Sequence, residues 1–133
     1  SVSAFLLNRS SDLLVKEYFD WMNACVPYIE LEDYILVHAG MNFDIKDPFE
    51  DTKSMMWTRH FKVDYRRTHG KKIIHGHIPI DYTFMSTVIE ENENYDFIAL
   101  DNGVYETTQP GMGNLMAFNP DTMEIIAQSN MDM

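Results

Sequence analysis

Apolar side chains recur at helical spacing near the start of the chain. Between residues 13 and 25 they return every three or four positions, which predicts an amphipathic helix. Ser10 or Ser11 is the expected N-cap, because a hydroxyl oxygen there can accept a hydrogen bond from the first free backbone amides. Pro27 has no amide hydrogen and should end the helix.

Short apolar runs bounded by turn residues predict strands in the middle of the chain. Residues 28–40, YIELEDYILVHAG, indicate two short strands that meet at Glu32-Asp33. Residues 71–76, KKIIHG, indicate a buried strand. Between them a loop leads to a short helix, which should begin near Pro48 because proline is tolerated in the first helical turn.

The C-terminal half favours β-hairpins. Residues 83–91 and 95–101 are expected to pair around the turn residues NEN, and residues 113–128 predict a second hairpin. The sequence contains no internal repeat and no low-complexity tract. We therefore expect residues 1–133 to form one α/β unit, with a mixed sheet and β-hairpins in its C-terminal half.

Composition narrows the classes of partner. The net charge is -11, which argues against general nucleic-acid binding, because such binding needs clustered Lys and Arg to neutralise phosphates. No apolar run approaches the roughly 18 residues that a membrane span needs. Residues 59–72 are locally basic against this acidic background. That segment suits either attraction of an anion or a solvated helix face.

Cys25 is the single cysteine, so the chain can form no internal disulfide. This fits a reducing, cytoplasmic setting. Its place in the apolar helical pattern predicts that Cys25 packs in the core and is not a nucleophile. The chain begins at Ser1 without a methionine, which suggests a piece of a longer protein.

Two histidines each follow an apolar strand and stand beside a glycine. His38 lies in ILVHAG and His77 in IIHGH. Ligands of α/β folds bind at the carboxyl ends of strands, and neutral imidazole is a good ligand for zinc, manganese and iron. A structural, hydrogen-bonded histidine is the competing interpretation for each. We interpret His75 as a packing residue or a support behind the ligands, and expect His60 and His69 on the surface.

Arg59 lies between these histidines in the sequence, in the run MMWTRHF. A guanidinium offers a planar fork of donors that matches phosphate oxygens, which a lysine cannot reproduce. An arginine beside a tryptophan also suits a surface ion pair or a stacking contact. The residues alone leave both interpretations open.

The ordered set ILVHAG, MMWTRHF, IIHGHIP, IALDNGV and GNLMAF resembles the C-terminal half of the calcineurin-like metallophosphoesterases, in their phosphoprotein-phosphatase branch. This branch includes bacterial serine/threonine phosphatases and symmetrical dinucleoside-tetraphosphate hydrolases. In that family a His-Ala-Gly or His-Gly-Gly turn and a later Gly-His turn each supply a metal ligand. The resemblance, which spans residues 28–127, thus implies metal-ligand roles for His38 and His77.

Further roles follow from the same resemblance. The family's Trp-x-Arg element grips the substrate phosphate, which implies that role for Arg59. The turn that begins at Asp101 matches the family's Asp-Thr-Gly, a structural element near the site. Two positions depart from the pattern, since Ile78 and Asn102 stand where the family has threonine. Neither departure removes a ligand.

The implied fold is half of a layered αββα metallophosphatase sandwich. The implied activity is hydrolysis of phosphomonoesters such as phosphoserine or phosphothreonine, by metal-bound hydroxide and without a phosphoenzyme intermediate. The implied cofactors are divalent transition metal ions (Mn, Fe or Zn), two of them in the complete protein. The implied partners are a phosphoprotein or small phosphoester substrate, with no nucleic acid and no membrane.

The family's N-terminal motifs, Gly-Asp-x-His-Gly, Gly-Asp-x-x-Asp-Arg and Gly-Asn-His-Glu, do not occur in residues 1–133. They supply the remaining ligands and the general acid, so we expect this chain alone to be inactive. Its uncovered sheet surface is expected to favour self-association or a retained partner piece. The alternatives are a symmetrical dinucleoside polyphosphatase and a degenerate module that binds a partner without catalysis. The presence of His38, His77 and Arg59 favours an enzyme.

Overall fold

The computed structural model describes residues 15–131. The helices are α1 (Lys16–Ala24), α2 (Thr52–Trp57) and α3 (Tyr82–Glu90), and 3₁₀ turns cover Pro48–Glu50 and Asn92–Asn94. The strands are β1 (Tyr28–Glu30), β2 (Tyr34–Val37), β3 (Lys72–His75), β4 (Phe97–Ala99), β5 (Asn114–Asn119) and β6 (Glu124–Ser129). The expected N-cap of the first helix, at residues 10 and 11, lies outside the described residues.

The described strands form two sheets. A four-stranded mixed sheet has the order β1-β2-β3-β4, with β1 antiparallel to β2 and the other neighbours parallel. β5 and β6 form a two-stranded antiparallel sheet. The protein is therefore a mixed α/β unit, as the sequence predicts. Because β2, β3 and β4 are parallel, their carboxyl ends lie along one edge of the sheet.

Strand alternation divides the core between the two faces of the larger sheet. On one face Ile35, Val37 and Ile73 pack with Met41 and Met55. On the other face Ile74 and Ile98 pack with three apolar residues of α3, and part of the β5–β6 hairpin joins this cluster. The sheet is thus covered on both sides along β3 and partly on its second side along β2, which explains why both strands are rich in apolar residues.

Several predicted elements are confirmed. The two strands that meet at Glu32-Asp33 are β1 and β2, and the predicted buried strand is β3. The C-terminal hairpin is β5 and β6. The short helix near Pro48 is present as a 3₁₀ turn followed by α2.

The hairpin predicted for residues 83–91 and 95–101 is wrong. Residues 82–90 form α3, and β4 pairs in parallel with β3 instead. The Asp81 side chain accepts a hydrogen bond from the Phe84 amide and caps the helix. Met85, Val88 and Ile89 then fall at helical spacing and are buried. The β-branched residues of this segment favour a strand locally, but burial of one helical face decides the outcome.

The prediction that Cys25 packs in the core is also wrong. Cys25 is exposed and follows the last residue of α1, with its thiol donating to the Trp21 carbonyl. α1 buries no side chain among the described residues, and Trp21 is 68% exposed. The apolar pattern does form a helix, but within residues 15–131 its apolar face is covered only in part, at Phe19 and Met22. Within this same range, no helix is both long enough and apolar enough to cross a membrane.

Candidate functional site

His38 and His77 meet at the carboxyl edge of the larger sheet. His38 directly follows β2, and His77 lies two residues beyond β3. The His38 Nε2 and His77 Nδ1 atoms are 3.1 Å apart, and the ring centroids are separated by 4.9 Å. Parallel neighbouring strands end side by side, which is why residues so distant in the sequence face each other here.

Backbone hydrogen bonds fix the loops that carry the pair. The Gly76 amide donates to the His38 carbonyl over 2.8 Å and joins the two loops directly. The Ala39 amide donates to the Met55 carbonyl, also over 2.8 Å, and ties the His38 loop to α2. Gly40 must be glycine, because a Cβ there would lie 2.3 Å from the Phe61 ring.

His77 has a positive φ of 72°, which is rare for a residue with a side chain. The Ile78 amide donates to the Gly76 carbonyl over 2.9 Å, which closes a three-residue turn around His77. This is the rarer, strained form of the γ-turn. Strain of this kind persists where the surrounding structure holds it, and it often coincides with functional sites.

The surroundings of His38 favour its neutral form. Loss of surrounding water lowers the pKa of His38 below 6.5, and the neighbouring His77 lowers it further. The carboxylate of Asp101 acts in the opposite direction and raises it. A metal ion binds the neutral imidazole, so this environment suits a ligand.

The spacing of the two ring nitrogens fits two ligands of one metal ion. Two nitrogens each about 2.0–2.1 Å from a zinc ion lie about 2.8–3.4 Å apart at bond angles of about 90–109°. The observed 3.1 Å falls inside that interval. At this distance one ring donates a hydrogen bond to the other, so a metal ion would take the place of that hydrogen. No group of three His, Cys, Asp or Glu that could hold a metal is present in the part of the chain described here. The pair therefore offers two ligands, and further ligands would have to come from elsewhere.

His75 lies behind the pair, half-buried, with its ring edge-on to Phe61 at 5.0 Å and tilted against Phe97 at 5.8 Å. His75 Nδ1 is 3.1 Å from the Gly76 carbonyl. Since a carbonyl only accepts, Nδ1 carries the hydrogen and donates it. Burial lowers the pKa of His75 below 6.5, against a smaller opposing effect of the hydrogen bond to Gly76.

Asp101 follows β4 at the same edge of the sheet. Its Oδ1 accepts a hydrogen bond from the Gly103 amide over 2.8 Å. A Cβ added at Gly76 would lie 3.4 Å from the Asp101 Cβ, so the histidine loop passes close to this side chain. Asp101 thus contributes negative charge next to the histidine pair.

Asn102 is a residue whose importance the sequence alone does not show. It is 1% exposed, and its amide nitrogen donates to the carbonyls of Ile80 and Gly111, each over 2.9 Å. Its amide oxygen accepts from the backbone and side chain of Asn114. Asn102 therefore joins β4's following turn to three other segments. The sequence Asp-Asn-Gly indicates a tight turn here, but it does not indicate that the Asn102 side chain is buried and hydrogen-bonded.

A cleft of about 1050 Å³ opens beside the histidine pair. Asp101, Lys53 and Trp57 line it together with both histidines. Much of the remaining lining is apolar and includes Val26, Ile29, Leu36, Leu115 and Met116. The Trp57 ring is edge-on to His77, with centroids 6.0 Å apart. In the sequence, Trp57 stands out only because it lies near Arg59. No sequence feature marks Lys53 as part of a site.

Arg59 lies two residues beyond the end of α2 and is exposed. It is not among the residues that line the cleft. Its guanidinium forms no hydrogen bond or ion pair with the described residues. The structure therefore brings the two histidines, His75 and Asp101 together at one edge, and places Arg59 nearby in the chain but outside the cleft lining.

The basic segment 59–72 is not a solvated helix face. It consists of turns and irregular backbone up to β3. Arg67 donates to the carbonyls of Phe43, Ile45 and Lys46, which fixes the loop before α2. His60 and His69 are exposed, as the sequence predicts, and His69 stacks on Phe49.

No family model, curated protein or solved structure matches this chain.

Proposed function

We propose that the chain forms one wall of a binuclear metallophosphoesterase site, within half of an αββα sandwich. The activity of the complete site would be hydrolysis of phosphomonoesters such as phosphoserine or phosphothreonine. One observation carries the proposal: two imidazole nitrogens face each other at 3.1 Å, at the carboxyl edge of parallel strands. The order of the sequence motifs around these histidines is the second support.

In this proposal His38 and His77 hold one metal ion. Mn²⁺, Fe or Zn²⁺ each suit imidazole together with carboxylate ligands. The metal ions would supply Lewis acidity, which lowers the pKa of a bound water and neutralises phosphoryl oxygens. The facing nitrogens, the lowered pKa of His38 and the nearby Asp101 carboxylate are all consistent with cation binding.

One cationic side chain of this chain, that of Arg59, would act on the substrate. Arg59 would orient the phosphate with its planar fork and neutralise its charge. The exposed guanidinium is not engaged by any described residue, so such a contact would break no existing one. The Trp57 ring would limit access of water on the His77 side of the site.

Activity assays of the longer polypeptide that the proposal requires give the main test. Hydrolysis of p-nitrophenyl phosphate and of a phosphoserine peptide is measured with Mn²⁺. His38→Ala and His77→Ala are each expected to lower kcat/KM more than about 100-fold, since loss of a ligand exceeds the 10–100-fold effect of its supporting residues. His69→Ala, exposed and stacked on Phe49, is the matched control and should retain wild-type activity.

The assay also separates the alternatives. Faster turnover of diadenosine tetraphosphate than of either monoester would favour a dinucleoside polyphosphatase. Absence of any metal-dependent turnover would favour a module that binds a partner. Wild-type rates in His77→Ala would contradict the proposed site.

A further inference from the structure

The Gly76 carbonyl accepts two hydrogen bonds. One comes from the Ile78 amide over 2.9 Å and closes the γ-turn around His77. The other comes from the His75 ring over 3.1 Å. A peptide plane held by two donors on its oxygen cannot rotate without breaking both bonds.

The same peptide loop is also held from its amide side. The Gly76 amide donates to the His38 carbonyl over 2.8 Å. Gly76 is therefore hydrogen-bonded to the His75 ring and to the His38 carbonyl, and it begins the turn that carries His77. The loop contains the strained φ of His77, which needs support from its surroundings.

The position of the His75 ring is itself well determined. Phe61 and Phe97 contact it from two elements, at centroid distances of 5.0 and 5.8 Å. Its backbone is paired in the sheet, where it lies opposite Ala99 of β4. A donor that is fixed in this way can in turn fix the carbonyl that it contacts.

We propose that His75 is a positioning residue: its hydrogen bond to the Gly76 carbonyl holds the γ-turn that directs His77 Nδ1 toward His38 Nε2. The role concerns geometry and is separate from any contact with substrate or metal. Only its consequence for metal affinity rests on the proposed function. The competing explanation is that His75 merely fills space between Phe61 and Phe97.

Two substitutions in the 133-residue chain separate these explanations. His75→Asn retains an N–H donor near the position of Nδ1 but loses the ring. His75→Phe retains an aromatic ring between Phe61 and Phe97 but has no donor. If His75→Phe does not fold, His75→Leu takes its place in the same comparison, and thermal unfolding of each variant verifies the fold.

The first readout needs no metal. Hydrogen exchange of the Ile78 and Gly76 amides reports on the turn, because the Ile78 amide closes it and the Gly76 amide holds the same loop to the His38 carbonyl. Exchange should accelerate in His75→Phe and stay close to wild type in His75→Asn. The reverse order, or no change in either variant, would overturn the positioning role.

The second readout is Zn²⁺ affinity, from NMR titration of the ring signals of His38 and His77. We expect His75→Phe to weaken binding about tenfold without changing stoichiometry, as is usual for residues that support a ligand. His75→Asn should bind close to wild type, and equal affinity in all three proteins would overturn the proposal. Zn²⁺ that shifts neither ring in the wild-type chain would instead count against the metal site, and amide exchange would still decide the role of His75.

Discussion

At the level of single residues, the buried side chain of Asn102 joins several segments of the chain. Threonine, which the resemblance expects here, has one hydroxyl donor. The asparagine amide is almost fully buried, and it donates two hydrogen bonds and accepts two. The side chain thus gives the Ile80 carbonyl a donor and adds a second donor to the Gly111 carbonyl, which also accepts from the Tyr82 amide.

We expect Asn102→Ala to lower the free energy of unfolding by about 2–3 kcal/mol, since buried polar groups left unpaired cost about 1–3 kcal/mol. Asn102→Thr should recover only part of this loss. Urea denaturation measures both, with the exposed Gln109→Ala as the control. Equal stability of wild type and Asn102→Thr would mean that the second donation contributes nothing.

Arg59 gives a prediction about chemistry at the same scale. Donors that stabilise developing charge are worth about 10²–10³ in rate when one is removed. Arg59→Lys should therefore lose much of the phosphatase activity of the complete site, because a point charge cannot reproduce the bidentate fork. Steady-state kinetics on a phosphomonoester measure this effect. Wild-type kinetics from Arg59→Ala would reduce Arg59 to a surface residue.

At the scale of elements, α2 is held in place by the Asp51 cap. Asp51 accepts hydrogen bonds from the backbone and side chain of Ser54 and from the Asn42 side chain. These hydrogen bonds lower the pKa of Asp51 from 3.8 to about 2, and the bond from Asn42 has the largest effect. The helix carries Trp57 to the site, and its Met55 carbonyl binds the His38 loop.

The lowered pKa of Asp51 predicts a contribution to folding stability that depends on pH. Because the pKa is lower in the folded state, the ionised carboxylate stabilises the fold above pH 3.8, and this contribution is lost as pH falls through about 2. The difference in urea midpoint between wild type and Asp51→Asn should shrink over that interval. A difference that stays constant across it would show that these contacts do not hold Asp51 ionised.

The elements also show where sequence reasoning succeeds and where it fails. Strands β1, β2 and β3 are predictable because their apolar runs end at turn residues, and the edge that gathers His38 and His77 follows from parallel order. Helix α3 could not be predicted in this way. Thr83, Thr87 and Val88 favour a strand locally, but tertiary burial of Met85 selects a helix. The γ-turn at His77 could not be predicted either, since it depends on His75 across the loop.

At the scale of the whole molecule, apolar surface is exposed next to the site. Val26 is 64% exposed, Ile29 51% and Leu115 62%, and all three line the cleft. Apolar patches of this kind mark association surfaces. β1 is also an edge strand, with β2 as its one partner among the described strands.

We expect the 133-residue chain to self-associate through this surface. Sedimentation velocity should show a mass that rises with concentration. Ile29→Lys should shift the chain toward monomer, whereas Tyr105→Lys, exposed but not part of the cleft lining, should not. A wild-type chain that stays monomeric at every concentration would refute association through this face.

The same chain alone should be catalytically silent. Two histidines provide too few ligands for two metal ions, and residues 15–131 hold no group of three His, Cys, Asp or Glu that could bind a metal ion. We expect no Mn²⁺-dependent hydrolysis of p-nitrophenyl phosphate by the purified 133-residue chain. Robust turnover that depends on Arg59 would show that the site is formed by other residues.

The proposed site requires that His38 and His77 bind one metal ion together. Anomalous X-ray scattering from crystals of the chain soaked in Zn²⁺ tests it most directly. We expect one anomalous peak about 2.0–2.1 Å from both His38 Nε2 and His77 Nδ1. That peak should be absent in crystals of His77→Ala and retained in those of His75→Asn. A zinc ion bound elsewhere, with the two ring nitrogens still hydrogen-bonded to each other, would contradict it.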